Sequence, residues 1–205
     1  MIPTKESVAA RCLRCMLRPP FCICAEAPRV PARTEVFVVR HVIESHKPSN
    51  SARIAALALP RCTIVSYGAR GEEFDEEVLR GEGTWLLYPD GREAVLAGPP
   101  PRRLVVLDGT WSQTKRMKIR IGALRGMPRL SLAAPDAPPR RLRCGRSPHE
   151  MATLEAIGRA LMLLEGDSVG QPLLDLYQLF VDRTYQCSAG GRGRCRASAR
   201  PARED

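Results

Sequence analysis

The chain has 205 residues, 44% of them hydrophobic, enough for one domain with a core of its own and a small appendage. No run of eighteen apolar residues occurs and no apolar signal region opens the chain, which argues against a membrane span and for a cytoplasmic protein. The formal charge is +10, from 28 arginines and 4 lysines against 22 acids, so an acidic macromolecule such as nucleic acid is the expected partner.

The first thirty residues are rich in cysteine and proline and show little periodicity. A regular alternation follows. Val36–Val39 reads as a strand. Ser49–Leu59 reads as a helix, with Ile54, Leu57 and Ala58 on one side. Thr63–Val65 is a second strand, and Glu72–Leu79 a short acidic helix. Thr84–Tyr88 is a third strand, stopped by the turn signal Pro89-Asp-Gly91. Leu104–Leu107 is the fourth, Trp111 to about Leu124 a basic helix, and Leu130–Leu132 a short fifth strand.

Two helices close the body. The first carries Met151, Leu154, Ile157, Leu161 and Leu164 on one stripe. Ser147-Pro-His-Glu150 has the form of its capping box, and a start near Thr153 is the alternative. The second helix runs from Pro172 to Tyr185. The alternation predicts an α/β fold with a mainly parallel sheet and flanking helices. The expected organisation is an N-terminal module over 1–30, a catalytic domain over 31–187, and a disordered basic tail over 188–205. Neither a Gly-x-Gly-x-x-Gly fingerprint nor a P-loop is present, so the usual dinucleotide and nucleotide-triphosphate sites lose their support.

Four of the eight cysteines fall close together, as Cys12-x-x-Cys15 and Cys22-x-Cys24. In a cytosolic protein this spacing favours a tetrahedral zinc over disulfides. Four thiolates close the coordination sphere, so the metal is expected to be structural. Free or redox-active thiols are the alternative. Cys62 reads as a small buried hydrophobe.

The stretch Leu104-Val-Val-Leu-Asp108-Gly-Thr-Trp111 runs from a buried parallel strand straight into a carboxylate. Ligands of such sheets bind beyond the carboxyl ends of the strands. Asp108 therefore reads either as a charged group presented to a cleft or as the N-cap of the next helix. Past the first strand lie Arg40, His41, Glu44, Lys47 and Asn50. His41 and Glu44 can pair there, and Lys47 and Asn50 suit phosphate or ribose. Ser49 or Asn50 also suits the cap of the following helix. Lys115, Arg116, Lys118 and Arg120 form a basic helix face beside the same edge, where a phosphate backbone is gripped or solvent is met.

In combination and order these blocks resemble the DTW-domain family of tRNA-uridine aminocarboxypropyltransferases. The residues that carry the resemblance are Cys12, Cys15, Cys22 and Cys24; Arg40-His41-x-x-Glu44-x-x-Lys47-x-x-Asn50; Leu87-Tyr88-Pro89; Asp108-Gly-Thr-Trp111 with Gln113 and Met117; Arg143; and Thr153-Leu-Glu155-Ala156. It covers roughly residues 10 to 165. Thr114, where a smaller residue is commoner, and the glycine-arginine tail depart from the pattern.

The resemblance implies S-adenosylmethionine as donor, a tRNA uridine as acceptor, and a core related to the knotted SPOUT methyltransferases. It implies transfer of the 3-amino-3-carboxypropyl group to uridine N3, with methylthioadenosine leaving. Asp108 is then the candidate general base, with orientation of the uridine or of the sulfonium as its alternative roles. The donor is expected against Tyr88, Pro89, Thr110 and Trp111, and against Leu130, Arg143, Thr153 and Glu155. RNA contacts are expected from Arg40, His41, Lys47 and Asn50, and from Lys115 and Arg116. The rival readings are a SPOUT-like RNA methyltransferase using the same donor, and a non-enzymatic zinc RNA-binding module.

Overall fold

The computed structural model describes residues 11–89, 99–133, 142 and 151–188. Arg143, the box Ser147-Pro-His-Glu150, Cys144, Cys195 and the tail beyond Ser188 lie outside the described residues.

Five strands form one sheet: β1 (Glu35–His41), β2 (Cys62–Tyr67), β3 (Thr84–Leu87), β4 (Arg103–Asp108) and β5 (Arg129–Leu130). Every pairing is parallel, and the order is β2-β1-β4-β3-β5. The expected parallel α/β sheet with flanking helices is therefore what the chain forms. Among the described residues four α-helices flank it: α1 (Ala52–Ala58), α2 (Trp111–Arg120), α3 (Thr153–Glu165) and α4 (Asp167–Ser188).

Side chains alternate across a strand, so both sheet faces must be apolar when both are covered. Val36, Val38, Leu104 and Val106 point to one face, where α1, α3 and α4 pack. Phe37, Val39, Val105 and Leu107 point to the other, under Met117 of α2 and under Leu79, Ile121 and Leu124. The cysteine-rich segment has no core apart from this one. Cys15, Leu17 and Ile23 are buried in the same cluster as Leu173, Tyr177 and Phe180 of α4. Arg183 of α4 also pairs with Glu26 at 3.2 Å.

The helix after β1 and the helix after β4 lie on opposite faces. Adjacent parallel strands whose connections diverge leave a crevice between their carboxyl ends, the usual ligand position in open α/β sheets. β1 and β4 are such a pair, with Arg40 in register with Asp108 at the mouth.

Several expected elements differ. The acidic helix over Glu72–Leu79 is only a 3-10 turn, Glu76–Leu79, capped by Asp75. Glu76 spends its carboxylate on the N–H groups of Gly122 and Ala123, at 3.0 and 2.6 Å. The basic helix ends at Arg120, because Ile121 turns extended to bury its side chain in the core. α1 is shorter than expected and α4 longer; α4 begins at Asp167 and carries Pro172 inside it.

The penultimate helix takes the later start, at Thr153. Its N-cap residue, Ala152, has no side chain to offer an N–H group. The missing cap comes from far away in sequence: Ser51 Oγ accepts from the N–H of Leu154 at 3.2 Å. Gly166, with φ of 95°, then makes the tight turn into α4.

Candidate active site

Asp108 ends β4 inside the crevice and is only 4% exposed. Thr153 Oγ donates to its Oδ1 at 2.5 Å, and Asn50 Nδ2 donates to its Oδ2 at 2.5 Å. Burial pushes the Asp108 carboxyl above the usual carboxylate range, and nearby Glu44 adds to this. The hydrogen bonds from Thr153 and Asn50 and the charge of Arg40 pull the other way without cancelling it.

Asp108 is not the helix cap. Thr110 caps α2: its hydroxyl accepts from the N–H of Gln113, and Gln113 reaches back to the Thr110 N–H in a complete capping box. The carboxylate two residues earlier is left to the crevice. Asn50 bridges two roles, since its Oδ1 accepts from the N–H of Arg53 at 3.4 Å in the first turn of α1.

A cleft opens beside this carboxylate over the ends of β3 and β4. Tyr88, Pro89, Trp111 and Thr153 line it. So do Thr114, Leu132, Met151 and Ala156. Tyr88 and Trp111 meet edge to face with centroids 6.2 Å apart, and Lys118 Nζ sits 4.4 Å over the Tyr88 ring. Trp111 remains 37% exposed. One flat side chain is thus braced and its neighbour is open to a ligand.

Three of the other expected donor contacts lie elsewhere, and Arg143 falls outside the described residues. Leu130 is buried in the core, and its neighbour along the chain, Leu132, reaches the cleft instead. Thr110 is occupied by its cap. Glu155 is fully buried and pairs with Arg159 one turn on, at 3.4 Å. Leu132, just past β5, and Met151, just before α3, were not expected at the site, because each reads as an ordinary apolar core residue.

Of the expected RNA contacts, Lys115 and Arg116 are exposed on α2. Lys47 is tied to the buried Glu44 at 2.5 Å, so Glu44 pairs with Lys47. The ring of His41 instead accepts from the N–H of Ile43, and its Nδ1 lies 3.5 Å from Gln113 Nε2. Asn50 is 3% exposed and faces Asp108 rather than solvent.

The four clustered cysteines converge. Their sulfurs all lie within 4.8 Å of one another, with Cys12–Cys24 at 3.6 Å and Cys15–Cys22 at 3.7 Å. A tetrahedral ion with metal–sulfur bonds of about 2.3 Å separates its sulfurs by about 3.8 Å, so the four side chains fit a metal ion. Backbone hydrogen bonds at Cys15 pull the Cys12 thiol down to about 6, while burial pushes Cys15 and Cys24 up.

Fold and site together define an α/β protein with its ligand cleft at the carboxyl edge of a parallel sheet. The DTW domain model matches residues 9–185, and the chain belongs to the DTW-domain family. The tRNA-uridine aminocarboxypropyltransferase 2 of Macaca fascicularis is 28% identical over 176 residues, covering 80% of this chain and 59% of the relative. The enzyme of the same name from Mus musculus matches to the same extent. That from Drosophila melanogaster is 25% identical over 169 residues, covering 76% of this chain and 66% of its own. The chain thus spans about three fifths of the length of the mammalian relatives. A comparison with solved structures gave no match. Among the described residues no helix is long and apolar enough to cross a membrane.

Proposed function

We propose that this chain transfers the 3-amino-3-carboxypropyl group of S-adenosylmethionine to N3 of a uridine in tRNA and releases methylthioadenosine. The observation that carries the reading is a buried carboxylate, Asp108, hydrogen-bonded to a hydroxyl, Thr153, that itself lines the cleft. The names of the relatives support it. The cleft is lined by apolar side chains with an aromatic pair and a few polar groups among them, the usual make-up of a small-molecule site. When bound, the donor supplies a carbon activated by its sulfonium leaving group.

The chain's residues then have distinct tasks. Uridine N3–H must lose its proton as nitrogen bonds to carbon. Thr153 Oγ accepts that proton while passing its own to Asp108 Oδ1, along the hydrogen bond already in place. A raised carboxyl pKa brings Asp108 closer to the weak acid it serves. Tyr88 and Trp111 pack against the flat groups, and Lys115 and Arg116 meet the tRNA backbone with His41 and Lys47 at its margin. Alignment in this dry crevice supplies the rest of the acceleration.

Zinc is the metal this reading places on Cys12, Cys15, Cys22 and Cys24, as a structural ion with no open position. A cytoplasmic site of action suits four reduced thiols. A SPOUT-like, knotted core belongs to the same reading; the all-parallel sheet and its switch crevice support it, and a crystal structure tracing the chain from β5 to α3 checks it.

The test is incubation with labelled donor and bulk tRNA, followed by digestion to nucleosides. A uridine heavier by the aminocarboxypropyl group, with methylthioadenosine released, is the expected result. Release of S-adenosylhomocysteine with a methylated nucleoside would overturn it in favour of methyl transfer. Modification that survives Asp108→Asn undiminished would remove Asp108 from the chemistry.

A further inference from the structure

Two arginines at the crevice make no ion pair among the described residues. Lys47 is paired with Glu44, and both oxygens of Asp108 are engaged by Thr153 and Asn50. Arg40 and Arg53 have no carboxylate partner among the described residues, and in each the Nε is buried with no hydrogen-bond partner. Leaving one guanidinium N–H dry and unpaired is costly, and two side by side are more so. The two feel each other: burial lowers the Arg53 pKa and the charge of Arg40 lowers it further, while the Asp108 carboxylate offsets part of this.

Their placement is specific. Arg40 lies in register with Asp108 on the neighbouring strand, one strand spacing away, about 4.8 Å. Arg53 is fixed from the other side, its Nη2 donating to the carbonyls of Ser45 and Lys47 at 2.6 and 3.4 Å. A guanidinium held at one end and unsatisfied at the other is prepared for an acceptor that arrives later. Arg40 sits near the end of β1 beside Asp108, and Arg53, in the first turn of α1, is joined to the same carboxylate through Asn50; neither lines the cleft itself.

We propose that Arg40 and Arg53 form a clamp for the α-carboxylate of an amino-acid-bearing ligand, which on the reading above is the carboxylate of S-adenosylmethionine. The proposal rests on that reading. It moves Arg40 from the RNA face, where the sequence placed it, to the donor. It gives Arg53, which the sequence left unassigned, a task. A small carboxylate fits buried Nε atoms better than a backbone phosphate does, because a phosphate in a polymer is met by exposed cations such as Lys115 and Arg116. Anchoring the carboxylate beyond Asp108 stretches the aminocarboxypropyl arm across the carboxylate–hydroxyl pair. The reacting carbon, not the methyl, then faces the acceptor.

The test is calorimetric binding of three ligands: S-adenosylmethionine, its decarboxylated form, and methylthioadenosine, which lacks the arm. The decarboxylated ligand keeps the sulfonium and the ammonium, so the affinity ratio isolates the carboxylate. Wild-type protein is expected to prefer the intact donor by about 10- to 100-fold. Arg53→Met and Arg40→Met are each expected to bring that ratio close to one. The ratio does not depend on general damage to the cleft, since both ligands share the adenosine.

A ratio near one in the wild type, or a preserved ratio in both variants, overturns the clamp. Loss of tRNA affinity in the variants with the ratio unchanged also overturns it, and assigns the pair to phosphate. If the wild type binds neither the donor nor methylthioadenosine, the donor reading itself falls. If it binds both equally, only the clamp falls.

Discussion

Asn50 and Asp108 are joined side chain to side chain at 2.5 Å across 58 residues of sequence. The same asparagine accepts the N–H of Arg53 with its other terminal atom. One amide therefore orients the carboxylate of β4 and the first turn of α1 together. Asn50→Ala leaves Asp108 Oδ2 buried without that donor. The expected loss is about 1–3 kcal/mol of unfolding free energy, read from urea denaturation. Asn50→Asp is expected to be worse, because it sets a second carboxylate against the first.

In the proposed reaction Asp108 must be ionised to take a proton, and burial holds its pKa above the ordinary value. The rate of modification is expected to rise with pH through an apparent pKa above about 4, the usual value for aspartate. Thr153→Ser should keep the profile and most of the rate. Thr153→Ala should lose about 10²–10⁴-fold, the usual contribution of a positioned proton acceptor. Single-turnover assays across pH separate the two variants.

Glu165 titrates in the opposite sense. Burial alone raises its pKa, but the N–H groups of Arg33 and Thr34, at 2.9 and 2.7 Å, outweigh burial and leave it lowered. A lowered folded pKa adds stability that is fully present above about pH 4.3 and lost as pH falls through the folded value. Glu165→Gln is expected to cost about 1–3 kcal/mol at neutral pH and progressively less in acid. Denaturation curves for both proteins from pH 7 to pH 2 check the convergence.

α3 and α4 pack closely at Gly170. A Cβ there would stand 2.3 Å from Cβ of Met162 and 2.6 Å from the carbonyl oxygen of Gly158. Backbone cannot yield as a side-chain tip can. Gly170→Ala is expected to destabilise by about 1–3 kcal/mol or more. At Gly158 the nearest atom is the tip of Leu174, at 2.9 Å, so Gly158→Ala should cost less. Thermal melts of the two variants give the ranking.

Purified protein is expected to carry about one zinc per chain, measured by elemental analysis. Because Cys15, Leu17 and Ile23 share the core of α4, chelation should lower the melting temperature of the whole chain in one transition. A small early transition followed by an unchanged main one would contradict this.

The strands and the Asp108 crevice were legible because they rest on local rules. Val36, Val38 and Leu104 alternate with Phe37, Val39 and Val105, and a carboxylate closes the apolar run Leu104–Leu107. What was not legible depends on groups that meet only in the fold. The start of α3 was ambiguous because its cap, Ser51, lies 103 residues away. Asn50 looked like a surface ligand because nothing local reveals that Asp108 needs a donor. The Glu72–Leu79 helix failed because Glu76 caps a distant turn. Arg53 gave no signal, since an arginine in a short helix is ordinary until its surroundings are known.

Asp108 takes its partners from 58 residues before it and 45 residues after it. No contiguous fragment of the chain short of that span contains the three groups. A ribosome-bound chain that has emerged only through β5 holds the carboxylate and the amide but lacks the hydroxyl and the helix that carries it. The carboxylate therefore waits for the last helices of the chain before both of its oxygens are hydrogen-bonded.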